Sequence, residues 1–192
     1  RCGIYSATLC HCSVGADVYI ANVRGALCNL EILPGTVIED VYTISCPADC
    51  TFGCGVKVGV LSETGGREVG INPGLTAPAA YLHTFWRHDG VLCRILDDAA
   101  EAYAANVRSS RATIGPDVRI SGCGTITGVN ITDGAIVEGV SRLSDGTVRG
   151  AYIGADVIAD GFVVCRGSRI DSGAQLHDVF VGHECSLGYG FS

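Results

Sequence analysis

The sequence predicts an all-β solenoid, wound in stacked three-sided coils and interrupted once by a Gly-rich loop and a helical hairpin. Three observations carry this. From Val14 onward every sixth residue is apolar: Val14, Ile20, Ala26, Ile32, Ile38, Ile44, Cys50, Val56. Glycine numbers 27 while aromatics make up only 7% of the chain, which suits many turns around a narrow core. Between two stretches with the six-residue period lie two stretches with helical spacing. A period of six fits neither a helix at 3.6 nor one long strand at 2. It fits short strands that each carry one inward aliphatic, joined at corners. The chain is 47% hydrophobic, so eight apolar hits in eight arise by chance roughly 0.2% of the time in a given register.

Residues 1–60 form the first solenoid segment. Cys2 and Thr8 extend its register backwards, and Gly15, Asp17, Gly35, Asp40, Pro47, Gly53 and Gly55 fall between inward positions, where corners need φ > 0 or a fixed φ. One coil buries too little to order itself, so stability must come from stacking on neighbours.

Residues 61–113 are the excursion. The polar, Gly-rich run LSETGGREVGINPG precedes a helix over about Pro78 to Arg87, with Thr76 as N-cap and Pro78 in the first turn. A second helix runs from about Val91 to Arg108 and is capped by Asp89. Leu92, Ile95, Leu96, Ala99, Tyr103 and Val107 give it an apolar stripe, with Asp97, Asp98 and Glu101 facing away. The aromatics Tyr81, Phe85 and Trp86 are expected to pack the first helix onto the solenoid.

Residues 114–192 are the second segment. Its ladder reads Ile114, Ile120, Ile126, Ile131, Val137, Leu143, Val148, Ile153, Ala159, Val164, Ile170, Leu176, Val181, Leu187, with some steps shortened to five. The chain starts at Arg1, has no methionine and carries the pattern to both ends, which reads as a segment of a longer protein.

Twenty acidic residues stand against 13 basic ones, without a basic stripe, which argues against nucleic-acid and anionic-membrane partners. No apolar run is long enough to cross a bilayer. Lys57 is the lone lysine. The eleven cysteines lack a secreted-framework spacing and read as thiols in a reduced cytoplasm. Cys10, Cys28 and Cys46, spaced by 18, are expected to stack in one column. Cys46, Cys50 and Cys54 are spaced by four, unlike a zinc CxxC pair, and no metal is expected.

The motifs VGADVY, VIEDVY, IGPDVR, IGADVI and VGHECS resemble the hexapeptide repeat of left-handed parallel β-helix proteins. The left-handed winding is implied by that resemblance; the period does not show it. More narrowly, SETGGREVGINPGLTAPAAYLHTFWRH is similar to an uncharacterised bacterial family with a two-helix excursion after a Gly-Gly-Arg loop. Many hexapeptide proteins are acyltransferases that use acyl-CoA, usually as trimers with sites between subunits. The resemblance therefore implies a homo-oligomer, a trimer by preference, and acyl-CoA as co-substrate.

His183-Glu184-Cys185-Ser186-Leu187-Gly188 resembles the H-[DE]-C-x-[ILV]-G pattern of sugar acyltransferases. Carried over, His183 is the general base on the acceptor and Glu184 its orienter, a role that contributes about 10²–10⁴-fold. Some hexapeptide acetyltransferases place the catalytic histidine on an excursion, which makes His83 and His88 candidates too. His177 lies six residues before His183, and a histidine pair on a β-helix resembles the trimer-interface zinc site of γ-class carbonic anhydrases, but that site needs a third histidine upstream and none lies between His88 and His177. Thr64, Gly65, Gly66 and Arg67 could form a backbone nest for a phosphate or carboxylate; equally, Glu63 and Glu68 could neutralise Arg67 in a structural corner. Two functions are open: an acyltransferase acting on a sugar or nucleotide sugar, or a non-catalytic module that binds an anionic metabolite or mediates oligomerisation.

Overall fold

The computed structural model describes residues 2–61 and 65–189. It is mostly β, built of short parallel strands with two helices, and no helix is long and apolar enough to cross a membrane. The strands stack in three columns, each with its inward aliphatics in register. One column runs Ile4, Ile20, Ile38, Ile120, Val137, Ile153, Ile170, Leu187. The second runs Leu9, Leu27, Ile44, Ile126, Leu143, Ala159, Leu176. The third runs Val14, Ile32, Ile114, Ile131, Val148, Val164, Val181. The aliphatics from Ile20 to Val181 along these columns are buried in one cluster, which gives a solenoid-like core.

The corners explain the motifs. Two or three residues after an inward position the backbone turns through φ > 0, and the residue there is usually Asp, Asn or Gly, the types that tolerate the left-handed region. Asp17, Asp40, Asp117, Asp156 and Glu184, one acidic residue from each of the five hexapeptide-like motifs, all have φ between 55° and 58°. The corner between the second and third columns is always tight. Its steps, such as Ile126 to Ile131 and Leu143 to Val148, are five residues, with Gly128 and Asp145 at the left-handed position.

All fourteen positions of the second ladder lie in these columns. The first ladder needs correction. Leu27, not Ala26, pairs with Ile44 and is fully buried. The step from Ile20 to Leu27 is seven and the next, to Ile32, is five, so together they mimic two sixes. At the start, Ile4 and Leu9 occupy the columns in place of Cys2 and Thr8. Cys50 and Val56 are not ladder positions, because the parallel stack is left after Thr43–Ser45 and resumed at Ala112–Ile114, which pairs directly with Leu30–Ile32. Cys50 instead closes the neck of the excursion, exchanging two backbone hydrogen bonds of 3.0 Å with Ser109. The cysteine column is also corrected: Cys10 pairs with Cys28, but Cys28 pairs with Ser45 rather than Cys46, because that coil is one residue shorter.

Beyond the neck, Lys57–Gly59 and Glu68–Gly70 form an antiparallel hairpin, and Val56, Val58 and Ile71 pack against Val163 and Cys165 of the solenoid. Helix α1 spans Ala77–Phe85 with Thr76 as N-cap. Helix α2 spans Gly90–Val107, and the Asp89 carboxylate accepts from the Val91 and Leu92 amides at 3.1 Å. Both caps agree with the sequence. The face of α2 is turned by about one residue from the expected stripe: Cys93, Ala100 and Ala104 are buried, whereas Ile95 is 59% exposed and Ala99 is exposed. Glycine decides this. A Cβ at Gly70 would lie 2.9 Å from Ala100 Cβ, and one at Gly55 would lie 3.0 Å from Ala104 Cβ, so the helix seats its small residues where the hairpin has none. Tyr81, Phe85 and Trp86 do not pack on the solenoid as expected; they are exposed and gather on each other, with Tyr81 and Phe85 4.6 Å apart.

Candidate functional site

The seating of α2 on the hairpin and α1 leaves a cavity of about 300 Å³. Val69, Leu75, Leu96 and Ala100 give it apolar walls, and His83, Asp97 and Tyr103 supply polar groups. The pairing of an apolar lining with a few convergent polar groups is usual for small-molecule sites.

His83 is 2% exposed. Its Nε2 lies 3.4 Å from Asp97 Oδ1, and Lys57 Nζ donates to the same oxygen at 2.6 Å. Neither ring nitrogen makes a full hydrogen bond, an unusual state for a buried polar side chain. Burial pushes the Asp97 carboxyl up, but the Lys57 hydrogen bond, its charge and the His83 ring outweigh this and hold it below the usual value. An ionised carboxylate therefore faces Nε2, which favours the tautomer with the proton on Nε2 and leaves the Nδ1 lone pair free. That is the arrangement of a base with its orienting acid. The sequence reading set Asp97 on the outer face of α2. The structure turns it inward, where its charge is met by Lys57.

The other candidates are placed elsewhere. His88 is exposed, 6.3 Å from the Trp86 ring. His183 is exposed on the corner after Val181. Glu184 is the left-handed residue of that corner, its amide donating to the Arg166 carbonyl at 3.1 Å. In the Gly-rich loop, Glu63 and Thr64 lie outside the described residues. The Gly66 amide donates to Glu68 Oε1 at 2.8 Å, and Arg67 donates to the Leu61 carbonyl at 3.3 Å. The backbone amides of Gly66 and Glu68 hold the Glu68 carboxyl below its usual value, so an internal carboxylate already sits where an anion would approach Gly65, Gly66 and Arg67. No group of three metal-ligating side chains occurs among the described residues.

The buried thiols of Cys50 and Cys54 do not offer a nucleophile. Burial pushes Cys50 up to about 12 and Cys54 up to about 11, which keeps both as thiols at neutral pH. Sequence reasoning reached His83 but missed its partners. Lys57 was visible as the lone lysine; Tyr103 was read as packing, and it lines the cavity.

Comparison with known proteins places the chain in a family. A model described as "Domain of unknown function (DUF4954)" matches residues 1–192, so the chain belongs to that family. No curated protein and no solved structure matches it.

Proposed function

We propose that this family member is a hexapeptide-type, left-handed β-helix acyltransferase that moves an acyl group from acyl-CoA to a sugar or nucleotide sugar, with His83 as the general base. The observation that carries the reading is the buried His83 imidazole, flanked by Asp97, with Nδ1 unpartnered and the residue on the lining of a cavity. In the reaction the acceptor hydroxyl gives its proton to Nδ1 as its oxygen bonds to the thioester carbonyl carbon. The C–S bond then breaks, and the departing thiolate takes the proton back as CoA thiol. Asp97 offsets the transient imidazolium charge. The exposed His183 has no such setting, and Glu184 serves the corner. The reading further assigns a trimer and a cytoplasmic location, the latter supported by eleven unpaired cysteines.

The test is an acyl-transfer assay by mass spectrometry, with acetyl-CoA and a panel of nucleotide sugars. His83→Asn should cost on the order of 10²–10⁴-fold while His183→Ala stays near wild type; the reverse would move the base to His183. A second reading keeps a specific observation. Tyr81, Leu82, Phe85, Trp86, Val91 and Ile95 are all exposed apolar side chains on the two helices, as expected of a non-catalytic module that uses its excursion to assemble. Absence of turnover combined with loss of oligomers in Trp86→Ser would favour it.

A further inference from the structure

A second cavity, of about 450 Å³, lies between the excursion and the solenoid. Tyr103 lines this cavity and the His83 cavity alike, so one side chain is common to both. The excursion contributes Cys54 and Tyr103 to the larger one, and the solenoid contributes Asn130, Thr132, Asp133 and Arg149.

The charge here runs against the chain. The protein carries −7 overall, yet Arg149 and Arg166 share a single carboxylate: Arg149 Nε and Arg166 Nη2 each lie 3.1 Å from Asp133 Oδ2. Two guanidiniums against one carboxylate leave a net positive group at the cavity wall. Asp133 holds Arg149 through Nε, which leaves the terminal Nη hydrogens to meet an oxyanion, the planar geometry that guanidinium suits. Burial and the nearby Cys54 push the Tyr103 phenol up while Arg149 pulls it down; the net rise keeps it a hydroxyl donor. Asn130 Oδ1 accepts from the Thr113 amide at 2.7 Å, which fixes how its amide is presented.

We infer that the two cavities are halves of one site for a small oxyanion-bearing sugar, with its phosphate or carboxylate at Arg149 and its acceptor hydroxyl at His83, on either side of Tyr103. This rests on the reading of His83 as the base, and it names the class of acceptor. It also gives the anion a different anchor from the Gly65-Gly66-Arg67 loop.

The experiment is calorimetric titration of the full chain with glucose 1-phosphate, glucuronate and glucose, combined with NMR of the histidine imidazoles. At least one of the two anionic sugars should bind ten or more times tighter than glucose, and which one distinguishes phosphate from carboxylate. Arg149→Gln should erase that preference, and Arg149→Lys should retain part of it. Binding should shift the His83 ring resonances. Equal affinities for all three sugars, no binding of any at millimolar concentration, or an unchanged preference in Arg149→Gln would overturn the inference. So would anion binding that leaves the His83 signals unmoved, because the cavities would then be separate. No acyl donor is present, so a protein that binds the anionic sugar but never transfers an acyl group would sink the enzymatic reading alone.

Discussion

His83 Nε2 and Asp97 Oδ1 stand 3.4 Å apart, just beyond a firm hydrogen bond, with the imidazole sealed from solvent and its second nitrogen unpartnered. A buried polar group left in this state costs about 1–3 kcal/mol, and proteins keep such a cost mainly at functional sites. His83→Leu should therefore raise the melting temperature while removing activity. In a chain of this size about 1 kcal/mol corresponds to roughly 2–4 °C, so a rise of a few degrees is expected by differential scanning calorimetry. A clear fall would mean that the ring is held by partners and serves the packing of α1.

The register at the second column can be read by a pair of substitutions. Leu27 is fully buried against Ile44, whereas the Ala26 carbonyl accepts from the Ile44 amide and its side chain is only half-buried. Leu27→Ala should cost about 2–5 kcal/mol; Ala26→Ser should stay within about 0.5 kcal/mol. Urea titration of each variant decides it, and equal effects would mean that the six-residue count is right and the pairing wrong.

This pair also shows what the sequence made legible. The second ladder, with its uneven steps of five and six, falls on the columns throughout, because every inward site from Ile114 to Val181 holds an aliphatic or Ala159 and all of its five-residue steps but Val148 to Ile153 lie at the same corner of the coil. The unbroken run of sixes from Val14 looked stronger yet slipped at Ala26, because a step of seven followed by one of five restores the count by Ile32. In the excursion, helix ends were legible from Thr76 and Asp89, since caps act locally. The face of α2 was not. Hydropathy preferred Leu96 and Ile95, while the close approach to Gly55 and Gly70 selected Ala104 and Ala100, and Asp97 came inward with them. Lys57, Asp97 and His83 are far apart in sequence and meet only through tertiary packing.

Gly146 and Phe162 offer a test of packing between coils. The two residues pair across neighbouring strands, and a Cβ at Gly146 would collide with the Cε1, Cζ and Cδ1 edge of the Phe162 ring. Phe162 is fully buried, so the ring has little room to move away. Gly146→Ala should cost about 1–3 kcal/mol through overpacking. In a Phe162→Leu background the added cost should shrink by more than about 0.5 kcal/mol, since residues in contact are not additive. Additive costs in a double-mutant cycle would place the ring elsewhere.

The Asp133 cluster predicts a stability that depends on pH. Burial raises the Asp133 carboxyl, but Arg166 and Arg149 outweigh it and hold the pKa below the usual 3.8. A folded value below the unfolded one means that the unfolded chain binds the proton more readily, so the contribution is present above about pH 4 and fades as pH falls through the folded value. The arginines stay charged throughout, which leaves Asp133 as the titrating member of this cluster. The melting-temperature gap between wild type and Asp133→Asn should be constant from pH 7 to about 5 and close below about pH 4. Both arginines are about half exposed or more, so the gap should also narrow in high salt. A gap that widens on acidification would reverse the sign of the shift, and the two arginines would then not be holding the carboxylate in its charged form.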